Sequence, residues 1–263
     1  MKTTARLLQP DDPKPFAIEN EDGVSAILFI SDHAGVAIPK RLGTLGLGRD
    51  ELSRHIAYDV GIYGVTSELA RNLGATYVFQ PYSRLVIDCN RKPGMPQSVM
   101  AQTDGTKVPG NEGLSTEDIR AREAEILRPY HDNIERVLRD RAASLQPTAI
   151  IAMHSCTERL RSDGRPRPWQ ISVIAHEDWR IGDALVEVLN AETGLCVGIN
   201  EPYTVDMEMD YTIPHHAEGG KVPYVEIEIR QDLIADPEGQ HEWARRLTSV
   251  FPKAVALSGV VSG

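Results

Sequence analysis

No stretch of this 263-residue sequence stays apolar for the roughly 20 residues that a bilayer crossing requires. The longest apolar runs, such as residues 26–30 and 149–153, fall far short of that length, which argues against a membrane-spanning protein. The opening residues, MKTTARLLQPDDPKPF, lack a central apolar stretch and break into Asp and Pro. No secretory signal is read there, and a cytoplasmic protein is expected. Cysteine is scarce. Cys89, Cys156 and Cys196 are odd in number, widely spaced and free of any C-x-x-C pair, so a disulfide framework or a thiolate metal site is not expected. Each reads as a small buried apolar residue. Positive charge is also in deficit: 28 Lys and Arg against 38 Asp and Glu give a net charge of -10, the wrong sign for a nucleic-acid partner. The one basic cluster, residues 159–167, reads as a loop able to receive an anionic substrate. Missing too are a G-x-S-x-G elbow, H-E-x-x-H and a Walker A loop, and Gly43-x-x-Gly46-x-Gly48 lacks dinucleotide spacing. Serine hydrolases, zincins and nucleotide enzymes are set aside.

What is present is ordinary globular composition, 41% apolar and 25% charged, in a length that suits one large α/β domain. A single catalytic domain over residues 1–263 is expected, with residues 1–24 as a leader packing on it. Residues 25–31 read as a buried strand opening into Asp32-His33-Ala34-Gly35. Apolar positions Leu52, Ile56, Val60, Tyr63, Val65 and Leu69 predict a helix over residues 50–72, stopped by Gly74. Two short strands are expected at 75–80 and 84–88. The Gly- and Pro-containing segment 92–115 is too long for a turn and reads as a functional loop. Ser115-x-x-Asp118 marks the start of a helix reaching about residue 144. Further strands are predicted at 148–153, 169–175, 195–200 and 223–229, with helices at 179–190 and 240–251. Strands alternating with helices imply a mostly parallel sheet between helical layers. Ligand sites in such sheets lie at the carboxyl ends of strands, which directs attention to His33, residues 88–91, His154 and Glu228.

Two histidines at the ends of two buried strands suit a divalent cation, because neutral imidazole is a common zinc ligand. The alternative for each is an ordinary loop or capping residue. Asp59, on the predicted helix after His33, sits among apolar neighbours and needs a partner, either a metal or an Arg. Glu226 and Glu228 share one strand face, where a cation or solvent must offset their repulsion. Glu228 is placed to serve as a general base, unless that face is simply solvated. Arg84, Asn90 and Arg91 form a polar cluster in which an arginine fork suits a substrate carboxylate, with an Asp88 ion pair as the competing reading. A second metal pattern is His215-x-x-Glu218 beside His216, although adjacent histidines in a Pro/Gly-rich loop read more simply as exposed, substrate-side residues.

Taken in order, Ser31-Asp32-His33-Ala34-Gly35 with Ile38-Pro39, then Asp59, then Tyr82 to Arg91 (YSRLVIDCNR), His154-Ser155 and Glu228-Ile229-Arg230-Gln231 closely resemble the motifs of N-formylglutamate amidohydrolases. The resemblance spans about residues 25–235, and Ser-Arg-x-x-x-Asp-x-Asn-Arg is its most specific piece. It implies a zinc-exopeptidase-like (phosphorylase/hydrolase-like) three-layer α/β fold, a mixed sheet flanked by helices. It also implies metal ligands His33, Asp59 and His154, and Glu228 as the catalytic carboxylate. The implied cofactor is Zn²⁺, with Fe²⁺, Mn²⁺ and Co²⁺ fitting similar ligands. Arg84, Asn90 or His216 would donate to the oxyanion, Arg91 would hold a substrate carboxylate, and Ser155 and His215 would complete the substrate side. The substrate implied is a small N-acyl amino acid such as N-formylglutamate. Two segments depart from the family pattern: Cys156-Thr157-Glu158-Arg159 replaces an aromatic-rich loop, and Pro214-His215-His216-Ala217 replaces an Arg-His-Tyr-Gly-like stretch. Two alternatives stand beside the hydrolase: an inactive relative that binds a small molecule or protein, and a peptide or muramoyl amidase.

Overall fold

The computed structural model describes residues 6–162, 164–192 and 194–261. Residues 1–5 of the expected leader and Asp163 of the basic loop lie outside the described residues. In chain order the strands are β1 (Ala17–Glu19), β2 (Ile27–Ser31), β3 (Thr76–Phe79), β4 (Gln102–Thr103), β5 (Thr106–Lys107), β6 (Ala149–Cys156), β7 (Ile171–Ile174), β8 (Val197–Ile199) and β9 (Tyr224–Arg230). The helices are α1 (Arg49–Leu52), α2 (Ile62–Leu73), α3 (Thr116–Arg122), α4 (Arg128–Ala143), α5 (Arg180–Asn190) and α6 (Pro237–Leu257).

Seven strands form one mixed sheet in the order β1-β3-β2-β6-β9-β7-β8. Its centre, β3-β2-β6-β9, is parallel, whereas β1 joins β3 and β7 joins β9 in antiparallel fashion. The fully buried β2 and β6 carry near-continuous apolar runs, ILFIS and AIIAMHSC, as strands covered on both faces must. One face packs Phe29, Ile151, Met153, Val225 and Ile227 against α2, α5 and α6. The other packs Leu28, Ile30, Ile150 and Ala152 against Ile126, Tyr130, Ile134 and Val137 of the α3–α4 rod. Each such side chain contributes roughly 1.5–3 kcal/mol of hydrophobic stabilisation when fully buried. The architecture is the three-layer α/β sandwich expected.

Chain order locates the crevice. From β2 the chain crosses to β3 on one flank, and the next central strand, β6, arrives on the opposite flank. Loops leaving the two carboxyl ends therefore diverge and leave space between them.

Several expected elements differ in detail. The predicted helix 50–72 is interrupted: α1 ends at Leu52 and α2 begins at Ile62, so Asp59 lies in the connection between them. Gly61 explains the break. Its φ of 79° is left-handed, and a Cβ there would sit 1.9 Å from the Ile234 carbonyl oxygen. The predicted strand 84–88 is a series of turns, because its backbone bonds to loops instead of a strand: Arg84 N–H donates to the Ala57 carbonyl and Asp88 N–H to that of Ser98. The leader supplies an edge strand, β1, and hangs Leu7 and Leu8 N–H on the Glu125 carboxylate. Segment 92–115 contains the β4–β5 hairpin. Ser115 caps α3 as predicted, with Ser115 and Asp118 exchanging side-chain-to-backbone hydrogen bonds.

Candidate active site

Each site residue is set by a local feature of the chain. His33 follows β2 by two residues, and its carbonyl accepts the Asp59 N–H at 2.8 Å, which ties the α1–α2 connection to the end of β2. His154 lies within β6, two residues before its end at Cys156, rather than beyond the strand as expected. In the β6–β9 register it stands opposite Glu228, and Ala152 stands opposite Glu226. Strand alternation thus puts His154, Glu226 and Glu228 on one face, above the divergence of β2 and β6. Gly35 lets this geometry close, since a Cβ there would overlap the Pro81 backbone at 1.9–2.4 Å.

The side chains converge on one carboxylate oxygen. Asp59 Oδ2 lies 2.9 Å from His154 Nδ1 and 3.6 Å from His33 Nδ1, and it accepts the Ser155 N–H at 3.3 Å. The two imidazole centroids are 5.1 Å apart. The far side of His33 is held by Asp88, whose Oδ1 meets Nε2 at 2.7 Å. Asp88 Oδ2 accepts from Arg84 Nη2 at 2.5 Å, and the other fork nitrogen of Arg84 is 3.5 Å from Asp59 Oδ1. Among the described residues, buried His33 Nδ1, His154 Nε2 and Glu228 Oε2 have no hydrogen-bond partner. Unpartnered buried polar atoms are costly, so three in one cluster mark a place where a ligand completes the structure.

Electrostatics sharpen that reading. Burial and Arg84 disfavour a charged His33, but the Asp88 and Asp59 carboxylates outweigh them and raise its pKa. Burial likewise disfavours the His154 imidazolium, yet the Asp59 hydrogen bond and the Glu226 charge raise it to about 10. Asp59 is held well below the ordinary carboxylate range, because the two histidines overcome its desolvation. Glu228 moves the opposite way: burial pushes it up to about 8, with His154 opposing and the Asp59 and Glu226 charges adding. The site thus contrasts an ionised carboxylate with one that holds its proton.

These groups line a cavity of about 650 Å³. His33, Asp59, His154, Glu228, Arg84, Asn90, Arg91 and Ser155 all reach its wall. Some arrive already committed. Arg91 Nη1 is paired with Asp210, Asn90 Oδ1 accepts the Tyr211 and Thr212 N–H groups, and the Ser155 hydroxyl donates to the Val60 carbonyl. His215 and His216 do not line this cavity, which corrects the expectation that they face substrate. His215 pairs with Glu135 at the surface, and His216 is buried against His131. Glu218, in the same turn, is committed elsewhere: it accepts from the Tyr224 hydroxyl and the Glu177 N–H. Of the two departures from the resemblance, only Cys156-Thr157 touches the cavity.

Comparison with known families decides what this arrangement belongs to. The model of the N-formylglutamate amidohydrolase family matches residues 25–235, which hold β2 through β9 and every residue of the convergent cluster. The chain belongs to this family. An amidohydrolase of this kind is a hydrolase acting on an amide C–N bond. The chain is similar to a gene product of Agrobacterium tumefaciens, with 32% identity, a TM-score of 0.91, and coverage of 95% of this chain and 98% of that one. It shares its fold with the N-formylglutamate amidohydrolase of Ralstonia eutropha at 18% identity and a TM-score of 0.67, again covering 95% and 98%. No curated protein matches it.

Within the amidohydrolase, sequence reasoning places Asp88 among the strand-end residues without a role toward His33, and gives Asp32 no role of its own. Asp88 was assigned to an arginine ion pair, which it makes, but it also orients His33. Its position four residues after Arg84, with Asn90 beyond, was the available signal. Asp32 Oδ2 stands 3.6 Å from His154 Nε2, and only folding shows it. The outer cavity wall comes from Gln97, Met100, Thr103 and Asp104 of the 92–115 segment and from Leu160 and Ser162 of the basic loop.

Proposed function

We propose that this amidohydrolase is metal-dependent and cleaves the amide of a small N-acyl amino acid such as N-formylglutamate, acting in the cytoplasm as one catalytic body. The observation that carries the reading is the convergence of His33, Asp59 and His154, whose donor atoms lie within 4.8 Å of one another, beside a buried glutamate with an unpartnered oxygen. Two imidazoles and one carboxylate make a donor set of the kind that catalytic Zn²⁺ uses when a further position is left for water or substrate. The fit is supported by the lone pair of His33 Nδ1, which nothing in the protein satisfies. Asp88 at Nε2 fixes the ring so that Nδ1 faces inward. When bound, Zn²⁺ supplies Lewis-acid polarisation of the substrate carbonyl and lowers the pKa of an attacking water.

The protein residues do the rest. Glu228 Oε2, in its ionised form, takes a proton from the attacking water and returns it to the departing amine nitrogen; a nearby cation favours that form, and a pKa of about 8 in the metal-free protein keeps it within reach near neutrality. Arg84, anchored by Asp88, presents its fork to the developing negative charge on the carbonyl oxygen. Arg91 is fixed to the wall by Asp210 and retains N–H donors for a substrate carboxylate, while the Asn90 amide NH₂ is left for the acyl side. Ser155 positions Asp59 through its N–H.

Elemental analysis of purified protein beside His33→Ala and His154→Ala tests the reading. One equivalent of zinc more in the wild type than in either variant, together with hydrolysis of N-formylglutamate or a related N-acyl amino acid, is the expected result. Wild-type protein that takes up no metal when zinc is supplied would end the metal mechanism.

A further inference from the structure

A second group of metal-ligating side chains lies away from the cavity. On α4, His131 and Glu135 are four residues apart and share a helix face. Facing them, the chain over residues 213–218 forms a widened turn in which the Gly219 N–H reaches the Pro214 carbonyl five residues back, at 3.0 Å. Widened turns of this type often occur at functional sites. This one brings the His215 and His216 rings to 4.7 Å and inclines them at 74°. His215 Nε2 stands 2.8 Å from Glu135 Oε1, and donor atoms of Glu135, His215 and His216 lie within 4.8 Å of one another.

The buried neighbour His131 adds an independent observation. Its Nε2 faces the Cys89 carbonyl at 2.8 Å, and a carbonyl only accepts, so Nε2 carries the proton. Neither His131 nor His216 is bonded to a carboxylate, and as neutral rings they allow one arrangement. The lone pair of His131 Nδ1 must receive the proton of His216 Nε2, 2.9 Å away. That leaves the His216 lone pair on Nδ1. Metal-ligating histidines characteristically donate their other ring N–H to a second acceptor in this way, which fixes the tautomer.

We propose that Glu135, His215 and His216 form a second cation site for a borderline 3d ion such as Zn²⁺, with His131 as the positioning residue that fixes the His216 tautomer. Two imidazoles and a carboxylate select such ions over Mg²⁺ or Ca²⁺, which prefer all-oxygen ligands. The site ties α4 to the segment that shapes the cavity, because Tyr211 and Thr212 N–H hold Asn90 and the Thr212 hydroxyl donates to Asp32. Its role is to clamp that wall, and it stands independently of the metal proposed for the cavity.

The test uses chelator-stripped full-length protein titrated with Zn²⁺ alone, with bound ion counted by calorimetry and by elemental analysis after desalting. Wild type is expected to take two equivalents, Glu135→Gln and His215→Ala one, His33→Ala one, and the His33→Ala/His215→Ala pair none. Loss of one equivalent in His215→Ala with no change in His33→Ala supports the second site even if the cavity site fails. Equal uptake by wild type, Glu135→Gln and His215→Ala overturns the proposal.

Discussion

Replacing Glu228 by Gln should move activity and stability in opposite directions. The substitution keeps size and shape, so the β6–β9 register that sets Glu228 opposite His154 is preserved. A glutamine cannot shuttle a proton, and positioned general acid–base groups contribute about 10²–10⁴-fold in rate; kcat should fall by that order while zinc content stays at the wild-type level. Stability should rise. In the metal-free protein, burial and the Asp59 and Glu226 charges lift the Glu228 pKa from 4.5 to about 8. An acid with a raised folded pKa holds its proton in the fold while the unfolded chain releases it. Stability from this group is therefore full below pH 4.5 and declines as the pH rises toward 8. At pH 7 about 2.5 pH units separate the medium from the unfolded value, each worth about 1.4 kcal/mol, so relief by glutamine is on the order of 3 kcal/mol. Urea denaturation of chelated wild type and Glu228→Gln at pH 4.5 and pH 7 reads this directly: curves nearly coincident at the lower pH and separated at the higher. Full activity in the variant would refute the proton-transfer role, and coincident curves at pH 7 would refute the buried-acid argument.

Other residues give sharper structural tests. Asp88→Asn removes the charge that orients His33 and should weaken zinc binding by about 10–100-fold in a competition titration; unchanged affinity would show that Asp88 serves only Arg84. Arg122 is 1% exposed, and its fork donates to the Val86 carbonyl and Asn111 Oδ1. Arg122→Met strands both acceptors at about 1–3 kcal/mol each, so the urea midpoint should drop markedly, with a wild-type midpoint as the refuting result. Gly35→Ala forces a Cβ into the Pro81 backbone and should yield protein that is insoluble or strongly destabilised in a thermal melt; a normal melt would mean the β2 exit loop is free to shift.

The sequence by itself determined the layers and the central residues. Two apolar runs followed within three residues by histidine, and a strand alternating Val and Ile with Glu, are patterns of a local kind, and β2, β6 and β9 form where they predict. Ser115 and Gly74 ended or began helices for equally local reasons, a side-chain cap and a left-handed backbone. The edges of prediction are also physical. Helical spacing continued through residues 53–61, yet the backbone turns left-handed at Gly61, where the Ile234 carbonyl, remote in sequence, occupies the space a Cβ would fill. Residues 84–88 looked extended, but their partners are loops remote in sequence, so they became turns. Only tertiary structure decided that Asp88 meets His33, that Arg91 is taken up by Asp210, and that His215 and His216 turn to α4 instead of the cavity. Each of these depends on contacts between segments far apart in the chain, where periodicity carries no information and packing selects the partner.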